Sequence, residues 1–295
     1  MWTNNGLMTA AGVAQQDMPE RALYVVGLPI GNLGDITLRA LWVLSHVDAI
    51  AAEDTRETRK LLDKFGIGVR LLSVREHNER RGADSIVHLL EEGGRVALVT
   101  DAGTPAVSDP GAKVVQHVVQ AGYRVIPIPG ASASVTALSA SGLDGDGFYF
   151  VGFLPPQAKA REKALLHYSS LKMPFVLYEA PHRIKALLED AARILRPSRR
   201  VVVCRELTKR FETIETVRAG DLSAWAQAHE PRGEYVIVVD EEADKQDTLT
   251  PADRRWLALL REALPASKLA GIASKATGLP RSLIYDHLLE ESCGV

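Results

Sequence analysis

Three segments of the chain share one local design, in which an apolar strand runs into a loop of Gly, Pro and small polar residues that opens a helix. They are LYVVGLPIGNLGDIT (residues 23–37), VALVTDAGTPAVSDPG (96–111) and RVIPIPGASAS (124–134). In an open α/β sheet such loops gather at the carboxyl edge of the strands, where a ligand meets backbone with little side-chain bulk. The sequence therefore predicts an enzyme that binds a small molecule.

The order of the predicted elements indicates the fold class. Strand-like and helix-like segments alternate over residues 20–142, which predicts a mostly parallel sheet. Residues 147–240 contain five further strand-like segments, and the motif RELTKRFETIE among them is typical of a tight β-connection. The Gly- and Asp-rich stretch at 141–147 is the expected hinge. We therefore expect an α/β protein of two domains, the second with a mixed sheet.

The two ends of the chain depart from this pattern. Residues 1–19 are small and polar, with Met8 and Met18 as alternative starts, and we expect a disordered leader there that carries no function. Residues 250–292 follow an acidic linker and contain two helical segments around a Gly-Leu-Pro turn. This pattern predicts a small helical tail that resembles a helix-turn-helix.

Composition narrows the class of protein. The net charge of −2 provides no global attraction to nucleic acid, so any contact with RNA must come from a local basic patch. The only cysteines are Cys204 and Cys293, and a disulfide framework or a metal site is not expected. The sequence lacks an apolar stretch of membrane-spanning length and a signal-peptide pattern. We expect a cytoplasmic protein with no membrane contact.

The glycines of the first loop fit no common nucleotide-binding motif. Gly27, Gly31 and Gly34 have the spacing G-x3-G-x2-G, which is neither the dinucleotide fingerprint nor a P-loop. Glu53 and Asp54 end the next strand at about the position of a ribose-binding acid. Two interpretations stay open at this point, because the glycines either approach a ligand or only shape a tight turn.

The second and third loops carry further candidates. Asp101 ends a strand, where its carboxylate can bind an amino or hydroxyl group of a ligand. Asp109 precedes Pro110, and capping of the following helix is its expected role. The third loop, residues 129–134, offers a helix N-terminus with almost no side-chain bulk, which favours an electron-rich ligand group. Dense packing of a helix on the sheet would select the same small residues.

Charged motifs end several strands. EAPHRI places Glu179, His182 and Arg183 past an apolar strand, as a base or anion clamp or as an ordinary surface ion pair. AEDTRETRK (52–60) and RELTKR (205–210) suit contact with phosphate and equally suit a solvated face. The residues alone leave these alternatives open.

In combination the motifs resemble the tetrapyrrole methylase superfamily, and within it the bacterial branch that 2′-O-methylates a cytidine ribose in the decoding region of 16S ribosomal RNA. The resemblance runs in order from about residue 23 to residue 240 and continues more weakly into the tail. It rests on GLPIGNLGDIT, AEDTRETRKLL, DAGTPAVSDPG, PGASASVTALSASGL, GFLP, YEAPHRI, RELTKRFE and RGEYVIVV.

The resemblance implies two α/β domains with S-adenosylmethionine in the cleft between them, a homodimer, and 16S ribosomal RNA in the small ribosomal subunit as substrate. Porphyrinogen methylases of the superfamily carry a GDP-like sequence at residues 103–105, where this chain has GTP, and this departure argues against a tetrapyrrole substrate. The implied cofactor contacts are Leu28, Pro29, Ile30, Asp101, Gly103, Thr104, Val107, Ser132, Ala133 and Tyr178.

Methylation of a ribose hydroxyl needs positioning of the two reactants and benefits from a base that takes the hydroxyl proton. Glu179 and His182 are the candidates for that base. The resemblance assigns contact with RNA to a set of charged and polar side chains, with the helical tail as an additional grip. These are Arg56, Arg59, His77, Asn78, Arg183, Arg205 and Lys209.

Two other functions compete with this interpretation. A methylase of a small tetrapyrrole would bind a porphyrinoid and would not need the tail. A non-catalytic nucleic-acid-binding protein built on the tail would need a basic recognition helix, whereas Arg281 is the only Lys or Arg in residues 279–295. We rank both below methylation of ribosomal RNA.

Overall fold

A computed structural model describes residues 5–75, 78–143, 147–171, 173–241, 249, 251–261, 263–277 and 279–290. The chain divides into two compact units, Met1–Glu242 and Ala243–Val295. The first unit contains two five-stranded sheets, and the second is helical.

The first sheet is parallel throughout, with the strand order β3-β2-β4-β1-β5, as predicted. Since β1 lies between β4 and β5, the three loops that follow these strands emerge side by side at the carboxyl edge. The elements are α1 (Asn5–Ala10), β1 (Ala22–Val26), α2 (Leu38–His46), β2 (Ala49–Ala52), α3 (Thr55–Lys64), β3 (Arg70–Ser73), α4 (Glu79–Glu91), β4 (Arg95–Val99), α5 (Ala112–Gln120), β5 (Arg124–Ile128) and α6 (Ala133–Ala140).

Local sequence accounts for where these elements begin and what they bury. Thr37 accepts a hydrogen bond from the N–H of Ala40 at 3.0 Å and so caps α2. Along β1, Leu23 and Tyr24 point to opposite faces of the sheet, and both are buried in separate apolar clusters. The sheet is therefore covered on both faces, as its unbroken apolar strands predict.

The second sheet has the order β6-β7-β10-β8-β9 and is mixed. Strands β6 and β7 are parallel, and the other neighbours are antiparallel. The direct antiparallel connection from β8 to β9 confirms the tight turn predicted at RELTKRFETIE. The elements are β6 (Tyr149–Phe153), α7 (Ala158–Ser169), β7 (Phe175–Glu179), α8 (Ile184–Ile194), β8 (Arg200–Arg205), β9 (Thr213–Arg218), α9 (Leu222–Ala228) and β10 (Tyr235–Val239).

The N-terminal segment differs from the sequence prediction. Residues 5–19 include α1 and a turn of 3-10 helix at Val13–Gln15, and Val13 is 3% exposed. Met8 and Met18 pack against the apolar cluster on one face of the first sheet. The prediction of a disordered leader is therefore wrong for residues 5–19, because these three apolar side chains supply enough buried surface to dock the segment.

The second unit contains the predicted helical tail. Its helices are α10 (Pro251–Arg261), α11 (Ala266–Thr277) and α12 (Arg281–Glu290). They share a core of their own, in which Leu257, Leu269, Ile284 and Leu288 are buried. Among the described residues of the whole chain, no helix has the length and apolarity required to cross a membrane.

Candidate active site

The loops after β1 and β4 are joined by a short antiparallel bridge. The N–H of Leu28 donates to the carbonyl of Gly103 at 2.8 Å, and the N–H of Gly103 donates back to Leu28 at 3.1 Å. Gly103 is buried and has a φ of 69°, in the left-handed region that glycine adopts without strain. The bridge therefore fixes the second loop against the first.

The loops after β1 and β5 are in backbone contact. A Cβ built on Gly27 would lie 2.9 Å from the Cα of Gly130, and one built on Gly130 would lie 2.6 Å from the carbonyl oxygen of Gly27. Thr104 of the second loop also donates to the carbonyl of Ala131 at 3.3 Å. These glycines are thus needed for contact between loops, and the three loops form one assembly.

A cleft of about 470 Å³ lies between this assembly and the second sheet. Its size is within the usual range of about 300–1,000 Å³ for small-molecule sites. The first sheet contributes loop backbone and acidic side chains, and the second contributes aromatic and acidic ones. The lining residues are Ile30, Glu53, Asp101, Ala102, Gly103, Thr104, Val107, Ser108, Asp109, Ser132, Ala133, Phe153, Tyr178, Glu179, Ala180, Pro181, Leu207, Glu234, Tyr235 and Val236.

The structure brings most of the predicted cofactor residues together in this cleft. Leu28 and Pro29 instead line an adjacent cavity of about 390 Å³, which shares Ile30 and Asp101 with the cleft. The predicted residues that line the cleft itself are Ile30, Asp101, Gly103, Thr104, Val107, Ser132, Ala133 and Tyr178.

Asp101 connects the ends of two neighbouring strands. Its Oδ1 accepts a hydrogen bond from the N–H of Asp54 at 3.2 Å. Burial raises the pKa of Asp101, and the carboxylates of Asp54 and Glu57 raise it further, against the opposing hydrogen bond from Asp54. Asp101 therefore holds the end of β4 to the end of β2 while it faces the cleft.

Asp109 is a cleft residue that the sequence did not identify. The sequence predicts that it caps the following helix, but α5 begins at Ala112, and the preceding Gly111 occupies the capping position. Asp109 lines the cleft and is exposed to solvent there. Partial burial against the cleft walls, together with the carboxylates of Glu53 and Asp101, raises its pKa to about 6. In the sequence, Gly111 between Pro110 and the helix indicates that the helix starts after Gly111, too far along the chain for Asp109 to cap it.

Glu179 lies in the cleft, whereas His182 does not. Glu179 is 2% exposed, and its Oε1 accepts from the N–H of Ala180 at 2.9 Å and lies 3.0 Å from Nε of Arg183. Its Oε2 is buried without a hydrogen-bond partner among the described residues. Burial raises the pKa of Glu179 against the opposing effects of Ala180 and Arg183. His182 is exposed on the turn before α8 and lines none of these cavities.

Two aromatic residues form the wall of the cleft on the side of the second sheet. The hydroxyl of Tyr178 accepts a hydrogen bond from the N–H of Ser134 at 3.0 Å, so it holds the start of α6 to β7. The ring of Phe153 meets that of Tyr178 edge-on at 5.8 Å and is 53% exposed. Phe153 is the second residue of the GFLP motif and was not among the predicted site residues. An exposed aromatic face in a cleft is a surface on which a planar ligand can stack.

Several residues predicted to contact RNA are used inside the fold. Arg59, Arg183 and Arg205 donate hydrogen bonds to main-chain carbonyl oxygens of the same unit. Asn78 accepts a hydrogen bond from the N–H of Arg75 at 2.6 Å. These four side chains therefore stabilise loops, and each of them is half-buried.

The remaining predicted RNA contacts differ from one another in accessibility. The Nζ of Lys209 lies 2.9 Å from a carboxylate oxygen of Glu206 and 2.7 Å from one of Glu234, so this ammonium is already paired within the chain. The side chain of Arg56 is 79% exposed and pairs with Asp54 at 2.7 Å. Hydrogen bonds from Arg56 hold the pKa of Asp54 well below its usual range. His77 lies outside the described residues.

The cleft presents mainly negative groups to a ligand. Its acidic side chains are Glu53, Asp101, Asp109, Glu179 and Glu234. Within the described part of the chain no three His, Cys, Asp or Glu side chains converge as a metal site would require. The arrangement suits a ligand that combines positive charge with a planar apolar group.

Comparison with known families identifies two matching regions. Residues 22–223 match the family described as tetrapyrrole (corrin/porphyrin) methylases. Residues 247–292 match the family described as the RsmI C-terminal HTH domain. Together these matches include the first sheet, strands β6 to β9 of the second sheet, and the helical tail.

Individual proteins extend the comparison. Ribosomal RNA small subunit methyltransferase I of Escherichia coli O157:H7 is 45% identical over 278 residues, covering 93% of this chain and 97% of the relative. The protein of the same name from Neisseria meningitidis serogroup B is 46% identical and covers 90% of this chain and 91% of the relative. The solved structure of a cobalamin biosynthetic enzyme, cobalt precorrin-4 methyltransferase, has a TM-score of 0.56 at 18% identity and covers 75% of this chain and 95% of its own.

Proposed function

Because this chain belongs to the tetrapyrrole methylase family, and within it to the group of ribosomal RNA small subunit methyltransferase I, we propose that it methylates the 2′-hydroxyl of a cytidine ribose in the decoding region of 16S ribosomal RNA. The observation that carries this proposal is identity of 45% over 93% of the chain with a relative of that name. The tetrapyrrole alternative draws on the description of the family and on structures such as the one at 18% identity, which share the fold alone.

We infer that S-adenosylmethionine is the cofactor and that the cleft fits it. When bound, it supplies an electrophilic methyl group on a positively charged sulfur. The acidic lining complements that positive charge, and the buried Oε2 of Glu179 has no protein partner among the described residues. The exposed ring of Phe153 offers a stacking surface for adenine. The residues that would hold it are Leu28, Pro29, Ile30, Asp101, Gly103, Thr104, Val107, Ser132, Ala133 and Tyr178.

The contribution of the chain to the reaction is positioning, exclusion of water and removal of one proton. Holding two reactants in line can supply much of the rate enhancement. The ribose hydroxyl is weakly acidic, so a carboxylate that takes its proton as the new bond forms accelerates the reaction. Glu179 is suited to orient the ligand, because Ala180 and Arg183 fix its carboxyl in one place.

Contact with RNA is assigned to the rim of the first sheet. Arg56 is exposed at the start of α3, where a guanidinium can meet a phosphate. Arg59 has a main-chain partner and is proposed to shape this rim. Arg183, Arg205 and Lys209 also have partners within the chain, and they are proposed to shape the loops of the second sheet. The tail would add a second contact with the structured RNA.

A methylation assay with small ribosomal subunits tests the function. Subunits from a strain that lacks the gene are incubated with the purified protein and with S-adenosylmethionine labelled in the methyl group. We expect label at a single cytidine 2′-oxygen, mapped by resistance of the adjacent linkage to alkali. Free 16S RNA and a porphyrinoid serve as parallel substrates. Absence of label in ribosomal RNA would show that the assignment is wrong.

We also propose a homodimer, which rests on the resemblance, and a cytoplasmic location, which rests on the composition of the chain. Light scattering at micromolar concentration is expected to give twice the single-chain mass. A mass of 32.1 kDa, that of one chain, would contradict the dimer.

A further inference from the structure

The loop between β4 and α5 carries a carboxylate that the fold does not use. Asp109 stands before Pro110, a sequence that usually places the acidic side chain over the first N–H groups of a helix. Here the chain continues past both residues, and the carbonyl of Pro110 accepts from the N–H of Ala106 at 3.1 Å. The helix starts only after Gly111, whose φ is 125°. Asp109 is therefore too early in the chain to cap α5.

The capping role is taken by a residue from another helix. Glu79 of α4 is 5% exposed, and its Oε1 accepts the N–H of Gly111 at 2.7 Å. The other oxygen of Glu79 lies 3.2 Å from Nζ of Lys113 in the first turn of α5. Asp109 itself makes no hydrogen bond or ion pair with any residue that the structure describes. Its carboxylate is free to act on a ligand.

The backbone around Asp109 is held in an unusual conformation. Ala106 and Ser108 have φ angles of 69° and 60°, in a region that residues other than glycine rarely adopt. Ser108 also packs closely against Gly152 of β6, where a Cβ would collide with its side chain. Strained backbone of this kind is concentrated at functional sites, where it fixes the direction of a side chain.

We propose that Asp109 is the general base that takes the proton of the ribose 2′-hydroxyl, an inference that rests on the proposed function. The O–H bond breaks and the proton moves to a carboxylate oxygen of Asp109. The ribose oxygen forms a bond with the methyl carbon. The bond between that carbon and sulfur breaks, and its electron pair remains on sulfur as a neutral thioether.

The surroundings of Asp109 suit this role better than those of the other candidates. Glu53 at the end of β2 and Asp101 at the end of β4 face it, and with burial they raise its pKa to about 6. A base is most effective when its pKa lies near the working pH. Glu179 is held by Arg183, and His182 is exposed outside the cleft.

The test compares the wild type with Asp109→Asn in single-turnover methylation of small subunits from pH 5 to pH 8. We expect the wild-type rate to rise tenfold per pH unit below about 6 and to level off above it. The variant should be slower by on the order of 100-fold and should lose this pH dependence. A variant rate close to that of the wild type would overturn the proposal.

Binding and stability measurements separate a base from other roles. Calorimetry should give S-adenosylmethionine affinities within about twofold for wild type and variant, since the base contacts the ribose. A tenfold loss would identify a cofactor ligand and overturn the proposal. The melting temperature should fall for Glu79→Ala, which removes the observed cap, and should not fall for Asp109→Asn, which removes a carboxylate whose ionised form its surroundings disfavour. A comparable fall in both would assign Asp109 to capping.

A ligand-free measurement makes the inference independent of turnover. In protein with 13C-labelled aspartate carboxyls, one resonance should titrate with a midpoint near 6 and be missing in Asp109→Asn. If that resonance titrates below 5, the proposal fails. Asp63→Asn, on an exposed position of α3, serves as the matched control and should match the wild type in every assay. If the wild type does not methylate ribosomal RNA, the proposed function fails and this inference fails with it, whereas a fast Asp109→Asn overturns the base alone.

Discussion

The β4–α5 loop and the β8–β9 loop are both strained, and they use their charges in opposite ways. Each contains two non-glycine residues with positive φ, Ala106 and Ser108 in the first and Glu206 and Thr208 in the second. In the β8–β9 loop, Lys209 bridges two carboxylates of the same unit. In the β4–α5 loop, the carboxylate of Asp109 faces the cleft without such a partner among the described residues. The number of charged residues in a loop is therefore a weaker guide to ligand binding than their pairing, because a charge that already has a partner in the fold is not available to a ligand.

The largest effect is expected at the β4–α5 loop from Gly103→Val. Valine must adopt a φ of 69° and its branched side chain must enter the cleft, so stability should fall by roughly 2 kcal/mol. Affinity for S-adenosylmethionine should fall on the order of 100-fold, or about 2.7 kcal/mol. Calorimetry and thermal unfolding measure the two effects.

The matched control for this change is Gly68→Val. Gly68 is exposed, has no positive φ, and a Cβ there would have open space around it. Valine at this position should leave both affinity and stability near the wild-type values. Unchanged affinity in Gly103→Val would remove the second loop from the binding site and break the contrast between the two loops.

An intermediate effect is expected at the β8–β9 loop from Lys209→Met. The change leaves Glu206 and Glu234 without their common partner, and stability at pH 7 should fall by about 1 kcal/mol, because the pair is partly exposed. Burial acts to raise the pKa of Glu206, but the N–H of Glu234 and the ammonium of Lys209 outweigh it and the pKa is lowered. The stabilisation is therefore present above about pH 4.5 and is lost as pH falls through the lower folded value.

Urea unfolding of Lys209→Met between pH 3 and pH 7 measures this dependence. The difference from the wild type should shrink below pH 4.5, where Glu206 takes up a proton. Lys60→Met removes an exposed pair with Glu57 on α3 and should change stability by less than about 0.5 kcal/mol. If Lys209→Met slows RNA methylation by more than its loss of stability explains, this lysine contacts the substrate directly.

The smallest effect concerns the difference between an exposed arginine and one bonded to the main chain. Arg56→Glu should raise the KM for small subunits by about twofold, because the exposed side chain meets a phosphate, with little change in melting temperature or cofactor affinity, because its ion pair with Asp54 lies at the surface. Arg205→Glu should instead lower stability by about 0.5 kcal/mol, since its hydrogen bond to the carbonyl of Arg232 is lost. Steady-state kinetics at several salt concentrations and thermal unfolding distinguish the two. If Arg56→Glu and Arg205→Glu raise the KM equally and have equal stability, the distinction between the two arginines is refuted.

Sequence patterns were sufficient to predict the fold and to predict which loops line the cleft. Apolar strands without alternation predicted the covered parallel sheet, and the charged RELTKRFE turn predicted the β8–β9 connection, which the structure confirms. The cleft residues were accessible to prediction because loops after parallel strands must meet at one edge. Resemblance added Tyr178, which no local pattern would have placed beside the loops.

The parts that could not be predicted depend on partners distant in sequence. The role of Asp109 depends on Glu79, which reaches the N–H of Gly111 from another helix. The main-chain partners of Arg183 and Arg205 could not be predicted, because the sequence does not show which carbonyl oxygens lie near a side chain in the fold. Docking of residues 5–19 likewise depends on a cluster formed by the first sheet. Local composition cannot reveal contacts of this kind.

The central position of β1 has a consequence for how the protein is made. Residue 22 pairs with residues 95 and 124, so the first strand to leave the ribosome acquires its two neighbours only after much of the first sheet has been synthesised. At a synthesis rate of roughly 5–20 residues per second, the backbone N–H and C=O groups along both edges of this apolar strand stay unpaired for several seconds. Non-local pairing of this kind slows folding and leaves the nascent chain prone to aggregation. Because the same pairing brings the three loops together, the half of the cleft that the first sheet contributes forms in one step, when β5 joins the sheet, and the second sheet then completes the site.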